Sequence, residues 1–344
     1  MAAARKRRGP QPSQTTRNRA MFCTRKAGKA MRVPSPQISS AFKTIVVATD
    51  FSEFSDHALL GTIGLAKKFR AKIVLTHVID PILYSNVLNG APFVPGQVEK
   101  DVEAQLESSA SLVRAAGVKV EVRTCHGLIL ESLRQLIKEA KADLLVVSTH
   151  GEKRFDRNVC SSVAEKILRI APCPVMIMSP LFRGKETSAT TRPQLLFATA
   201  FATHEKPSLS YADALAHAFG AELNLLHVLN PSSLRTETYR DCLDKLEKMA
   251  KEQVHLTQKV HFHVQAGSLG ETIASVAQTL KPIVTVLGVR NEDPQQTPVR
   301  GLHHGLVYKI VTHTSFPVLA LNAAVNVPAL RVSAKAADLY QVPR

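Results

Sequence analysis

Lys43-Thr44-Ile45-Val46-Val47-Ala48-Thr49-Asp50-Phe51 returns 150 residues later as Pro193-Gln194-Leu195-Leu196-Phe197-Ala198-Thr199-Ala200-Phe201. Ile73-Val74-Leu75-Thr76-His77-Val78 returns at the same offset as Leu223-Asn224-Leu225-Leu226-His227-Val228. Further along, Gly127 matches Gly267 and Leu144-Leu145-Val146-Val147-Ser148 matches Val284-Thr285-Val286-Leu287-Gly288, both at an offset of 140. Pro174-Val175 matches Pro317-Val318 at 143. Near-constant offsets broken by one short deletion mark a duplicated unit of roughly 140 residues.

Each copy alternates short apolar runs with longer amphipathic ones. In the first, the runs near 44–49, 72–79, 118–124, 143–148 and 173–178 are rich in Val and Ile and almost continuously apolar. That pattern predicts strands buried on both faces. Helical periodicity lies between them near 54–70, 97–116, 129–141 and 161–170, and Ser52 or Ser55 can cap the first helix. The second copy repeats the plan near 194–199, 221–228, 259–264, 283–288 and 316–321. Strand–helix alternation of this kind gives an α/β fold with parallel sheets and right-handed crossovers. The expected division is a basic, disordered arm over 1–40, a first domain over 41–180, a linker over 181–192, a second domain over 193–323 and a tail over 324–344.

The chain of 344 residues carries 44 Lys and Arg against 28 Asp and Glu, a net charge of +16. Ten of the basic residues lie in the first 40, which hold no Asp or Glu, so the rest of the chain is only mildly basic. Nucleic acid is therefore not the expected partner, because phosphate binding asks for a basic face on folded surface. The arm has the Arg-rich, acid-free composition of a transit peptide, but the simpler expectation is a tail or an early start, with Met21 or Met31 as the alternative beginning. No run reaches the ~18 apolar residues of a membrane span. The five cysteines form no Cys-x-x-Cys, which fits neither a disulfide framework nor a zinc site, so a reducing, cytoplasmic setting is expected.

In open α/β sheets, ligands sit beyond the carboxyl ends of the strands where the strand order reverses. Asp50 ends the first strand of copy one. Ser148-Thr149-His150-Gly151 ends the fourth, and nine residues later Ser161-Ser162 opens a helix. A loop returning to a helix N-terminus offers free N–H groups to an anion, usually phosphate. A carboxylate opposite can accept hydrogen bonds from ribose. Together they suggest a nucleotide.

Thr49-Asp50-Phe51-Ser52-Glu53, Thr76-His77-Val78, Ser148-Thr149-His150-Gly151, and Ser162-Val163-Ala164-Glu165-Lys166-Ile167 leading to Pro172-Cys173-Pro174-Val175 resemble the universal stress protein family. The resemblance covers 43–179 well and 193–322 more faintly, so the chain looks like a tandem member. It implies two tandem Rossmann-like domains of the adenine nucleotide alpha hydrolase-like class, each a five-stranded parallel sheet of order 3-2-1-4-5 with helices on both faces. It also implies ATP or AMP binding in a subset of members, with Mg2+ only where ATP is bound. Binding members carry Gly-x-x-Gly, nine residues, then Gly-Ser or Gly-Thr. Here Ser148, Gly151, Ser161 and Ser162 stand at those positions, so the spacing is kept while two of three glycines are serine. By the same resemblance Asp50 faces ribose or adenine with Ala48 and Thr49 beside it. Val78 meets the adenine ring, His150 lies within the loop, and Ser162 and Val163 lie at the phosphates. Lys153, Arg154 and Arg157 add cations to the loop.

Copy two departs further. Ala200 replaces the aspartate, Asn291 stands where the second loop glycine belongs, and His304-Gly305 aligns with Ser161-Ser162. It reads as a structural partner without ATP. Fifth strands commonly pair across dimers in this family, which implies an intramolecular pseudo-dimer of Pro174–Met178 against Pro317–Leu321; a homodimer of the chain and further protein partners are left open. The recurrent His77 and His227 read as packing, and the facing His261 and His263 lack a third metal ligand at suitable spacing. Two functions compete: a nucleotide-binding regulatory switch, and a scaffold whose loop is a relic. Slow ATP hydrolysis stands third, since beyond Asp50 there is no general base and no carboxylate pair for Mg2+.

Overall fold

Thr44–Ala48, a run without a single small-residue break or charge, forms strand β2, and its first four residues are buried. The computed structural model describes residues 23–26, 41–82, 84, 95–148, 166–168, 171–179, 181–182, 192–202, 205–230, 238–253, 259–289 and 304–322. After β2 come α1 (Glu53–Phe69), β3 (Lys72–Ile79), α2 (Pro95–Ala115), β4 (Val120–His126), α3 (Ile129–Ala140), β5 (Leu144–Ser148) and β6 (Val175–Met178). The second half repeats the series as β7 (Gln194–Thr199), α4 (Lys206–Phe219), β8 (Glu222–Leu229), α5 (Tyr239–Gln253), β9 (Val260–Ala266), α6 (Leu269–Leu280), β10 (Val284–Val289), α7 (His304–Thr312) and β11 (Val318–Asn322). Preceding both is β1 (Cys23–Lys26).

These strands form one sheet of order β1-β9-β8-β7-β10-β11-β6-β5-β2-β3-β4. Within each half the order is 3-2-1-4-5 and every pairing is parallel. The order therefore reverses between β2 and β5, and again between β7 and β10. Apolar layers cover both faces. Helices α1, α2, α4 and α5 bury Leu59, Leu106, Leu215 and Leu246 on one side. Helices α3, α6 and α7 bury Leu136, Ile273 and Ile310 on the other. Each layer runs through both halves without interruption.

The halves meet through β6 and β11, the one antiparallel junction between them. Met176 lies opposite Leu319, flanked by Val175 opposite Ala320 and Ile177 opposite Val318. In the repeat, residue 176 corresponds to 319, so the central pair is a position facing its own copy. Phe69 and Phe219, also the same repeat position, meet edge to face with ring centroids 5.2 Å apart. Two contacts on different elements thus mark one approximate twofold. The Ser179 hydroxyl donates to the Thr314 carbonyl, and Asn322 Nδ2 donates to the Leu168 carbonyl at 3.3 Å.

Two features differ from the sequence reading. β4 ends the sheet and is not buried on both faces: Glu121 and Arg123 pair with each other on it, and Lys72 joins Glu121 at 3.0 Å. A strand with a neighbour on one side only has no second partner to cover it. At the opposite end, within the segment read as arm, Cys23–Lys26 pairs antiparallel with β9 and satisfies the outer backbone groups of that strand.

Candidate functional site

The turn after β2 is built by its own short polar side chains. Ser52 caps α1, its hydroxyl accepting from Ser55 N at 3.2 Å. Asp50 is exposed, and its Oδ1 accepts from Ser52 N at 3.1 Å and from the Ser52 hydroxyl at 2.6 Å. The carboxylate is thus held at the β2 end, at the point where strand order reverses.

Thr49 is buried and its polar atoms are engaged within the protein. Its N–H donates to Thr76 O at 2.9 Å, and its Oγ1 lies 3.0 Å from Ser55 Oγ while accepting from Phe51 N. Its carbonyl accepts from His77 Nδ1 at 2.8 Å. That bond fixes the imidazole: Nδ1 carries the proton, so Nε2 accepts from the Tyr84 hydroxyl at 2.8 Å. Burial holds the His77 pKa below its ordinary value and keeps the Tyr84 hydroxyl protonated. Phe51 stacks on His77, with ring centroids 4.6 Å apart.

Phe51 has φ 62°, in the left-handed region, where a bulky side chain is strained. Phe201 repeats it at φ 61° and stacks on His227 at 4.2 Å, while His227 Nδ1 donates to Thr199 O at 2.9 Å. The two histidines therefore have repeated partners. Their recurrence reflects a built turn that fixes where the first strand of each half ends, and not packing alone. The signal was present in the sequence, as Phe51 and Phe201 recur at the same offset as the histidines.

Of the ten residues expected at the site, five are described. Ala48 is half-buried at the end of β2, and Val78 is buried on the same face of the sheet. Asp50 lies just beyond Ala48, and Ser148 ends the neighbouring β5, half-buried. Thr49 points into the opposite layer. His150, Gly151, Ser161, Ser162 and Val163 lie outside the described residues, as do Asn291 and the loop cations. The described part supplies a carboxylate above an apolar floor at a strand-order reversal, which suits a ribose and a flat ring.

The second half places a different group there. Glu205, 1% exposed, turns its carboxylate onto Thr199 Oγ1 at 2.6 Å and the N–H groups of Ala200 and Ala202 at 3.1–3.2 Å. Burial raises its pKa, and those donors pull it back. This residue went unread in the sequence.

Elsewhere, His261 and His263 share one face of β9. His261 Nε2 lies 2.7 Å from Glu222, and His263 Nε2 donates to Asn224 Oδ1 at 2.9 Å. Among the described residues no three His, Cys, Asp or Glu converge to hold a metal ion. Cys173 is buried and its thiol is pushed up to about 12, so it stays protonated. No helix among the described residues is long and apolar enough to cross a membrane.

Comparison with known proteins agrees with this fold. The universal stress protein family model matches residues 41–179. A Staphylococcus aureus protein named for that family is 32% identical over 157 residues, which span 45% of this chain and 92% of that one. A universal stress protein of Methanocaldococcus jannaschii is 27% identical over 139 residues, covering 40% of this chain and 82% of its own. The crystal structure of a universal stress protein from Archaeoglobus fulgidus superposes on 82% of this chain and 97% of its own, with a TM-score of 0.61 at 19% identity.

Proposed function

The chain belongs to the universal stress protein family, and from that premise we propose that its first half binds an adenine nucleotide, ATP or AMP, and acts as a regulatory switch. The observation that carries the reading is Asp50. It is exposed at the strand-order reversal, anchored through one oxygen by Ser52, and set beside Ala48 and Val78. In this reading the carboxylate accepts from ribose hydroxyls, the apolar pair meets the base, and Gly151, Ser161, Ser162 and Val163 receive the phosphates, with Ser148 and His150 at the loop entrance. Thr49 positions the turn from beneath through its bonds to His77 and Ser55.

The second half acts as an internal partner, joined across β6 and β11 as a pseudo-dimer in one chain. Bound nucleotide would favour one conformation of the loop ends of β2 and β5 and so change affinity for a protein partner. Such a protein would work in the cytoplasm. Mg2+ would enter only with ATP.

Calorimetric titration with ATP and with AMP tests this. Asp50→Ala abolishes the heat of binding, and Asp50→Asn, which keeps an acceptor for Ser52, weakens it at least about tenfold by removing the charge. Asn291→Gly in the second half leaves it unchanged. No heat from the unmodified protein up to millimolar nucleotide would assign the chain to the scaffold reading, which the serines at 148 and 161 favour.

A further inference from the structure

β4 and β9 hold the same place in the repeat, each the outer strand of its half, and they are finished differently. β4 carries Glu121 and Arg123, and none of its seven residues is buried. Charge on an exposed edge keeps a second chain from pairing there. The 140-residue offset puts His261 and His263 at those two positions of β9. Both imidazoles are committed to β8: His261 Nε2 lies 2.7 Å from Glu222, and His263 Nε2 donates to Asn224 Oδ1 at 2.9 Å. Val260–Ala266 holds no Asp, Glu, Lys, Arg, Pro or Gly, and Val260, Phe262, His263, Val264 and Gln265 are buried. An uncharged strand of this composition pairs with its own kind when its edge is open.

β1 closes that edge. It runs antiparallel along β9, from Cys23 opposite Val264 to Lys26 opposite His261. The sequence Cys-Thr-Arg-Lys brings Arg25 and Lys26 to the outermost strand, the charge that β9 lacks. Four residues are a short cover. Ordering each one costs about what a sheet hydrogen bond returns, so β1 can leave without unfolding either half.

We infer that residues 23–26 are a detachable cap on a self-pairing edge, and that the occupant they exclude is the β9 edge of a second copy of this chain. A twofold axis perpendicular to the sheet runs two β9 strands antiparallel, the direction β1 already takes. In the register with Phe262 opposite its own copy, Val260 lies opposite Val264. The apolar layer these three share then continues from one molecule into the next. The arm thereby sets the association state of the chain. This concerns the outer edge of the second half alone and stands apart from nucleotide binding in the first.

The test keeps the full chain. Of two consecutive strand residues one N–H faces the partner strand, so Thr24→Pro with Arg25→Pro breaks the β1 ladder. Gly28→Pro with Lys29→Pro, beyond the strand, is the control. In sedimentation velocity the first variant should pass from monomer to dimer as its concentration rises, while the control behaves as the unmodified protein. An excess of a peptide of residues 21–29 should return the variant to monomer. At low concentration its β9 amides should exchange at least about 10-fold faster than in the unmodified protein. A variant whose size is the unmodified protein's at every concentration overturns the inference. So does a dimer that the peptide leaves intact, or β9 exchange that the prolines do not change.

Discussion

At residue 55 the two halves differ in the group that meets the turn threonine, a serine hydroxyl in one and the Glu205 carboxylate in the other. Glutamate at 55 would need the space that Gly288 leaves beside Glu205, so Ser55→Glu alone meets the Ser148 side chain. Its expected effect is a lowered Tm that adding Ser148→Gly restores, read by thermal unfolding. The buried histidines set an acid limit. Burial, with His261 adding repulsion, lowers the His263 pKa to about 4 from the ordinary 6.5. The unfolded chain therefore takes up a proton near pH 6.5 that the folded chain refuses until about pH 4. Stability contributed by neutral His263 is full above 6.5 and is lost as the pH falls through that window. At ~1.4 kcal/mol per unit, the loss is on the order of 3 kcal/mol. His263→Gln should flatten the stability profile between pH 6.5 and 4 in urea unfolding. Glu205 works in the opposite sense: its raised pKa lowers stability as pH rises above 4.5.

Individual elements were legible where periodicity and punctuation agreed. The strands of both halves lie within about two residues of their expected bounds, because apolar runs between turns have one stable use in a sheet covered on both faces. The charges at 121 and 123 were equally readable, yet their meaning depended on β4 being last in the sheet, which spacing does not state. β1 escaped because four residues inside a basic arm carry no pattern of their own; what orders them is the open edge of β9. The site was half legible. Asp50 stood out as a carboxylate at a strand end, whereas Glu205 looked like any surface glutamate before a helix, since burial is decided by the missing side chain at Gly288. The charged β4 edge has a testable role. Replacing Glu121 with Val and Arg123 with Ile removes the ion pairs that keep this edge from pairing with another chain. Light scattering should then show concentration-dependent association, while the unmodified edge stays inert.

For the whole molecule, the approximate twofold carries the energetics. Phe69 and Phe219 join the halves at the same repeat position. Removing the buried Phe69 ring should cost about 3–5 kcal/mol and removing the half-buried Phe219 ring less, and a double-mutant cycle to Ala should return about 0.5–1.5 kcal/mol of coupling. Zero coupling would mean that the halves are energetically separate. The continuous apolar layers predict one unfolding transition for both halves. The β6–β11 pairing has a further consequence, in dilution. Two separate chains joined by such a seam would part as their concentration fell, and any response relying on the pair would fade with abundance. With both edges on one polypeptide, the pairing is intramolecular and its extent does not depend on the concentration of the chain. A cell holding only a few copies would have the same assembled fraction as one holding thousands.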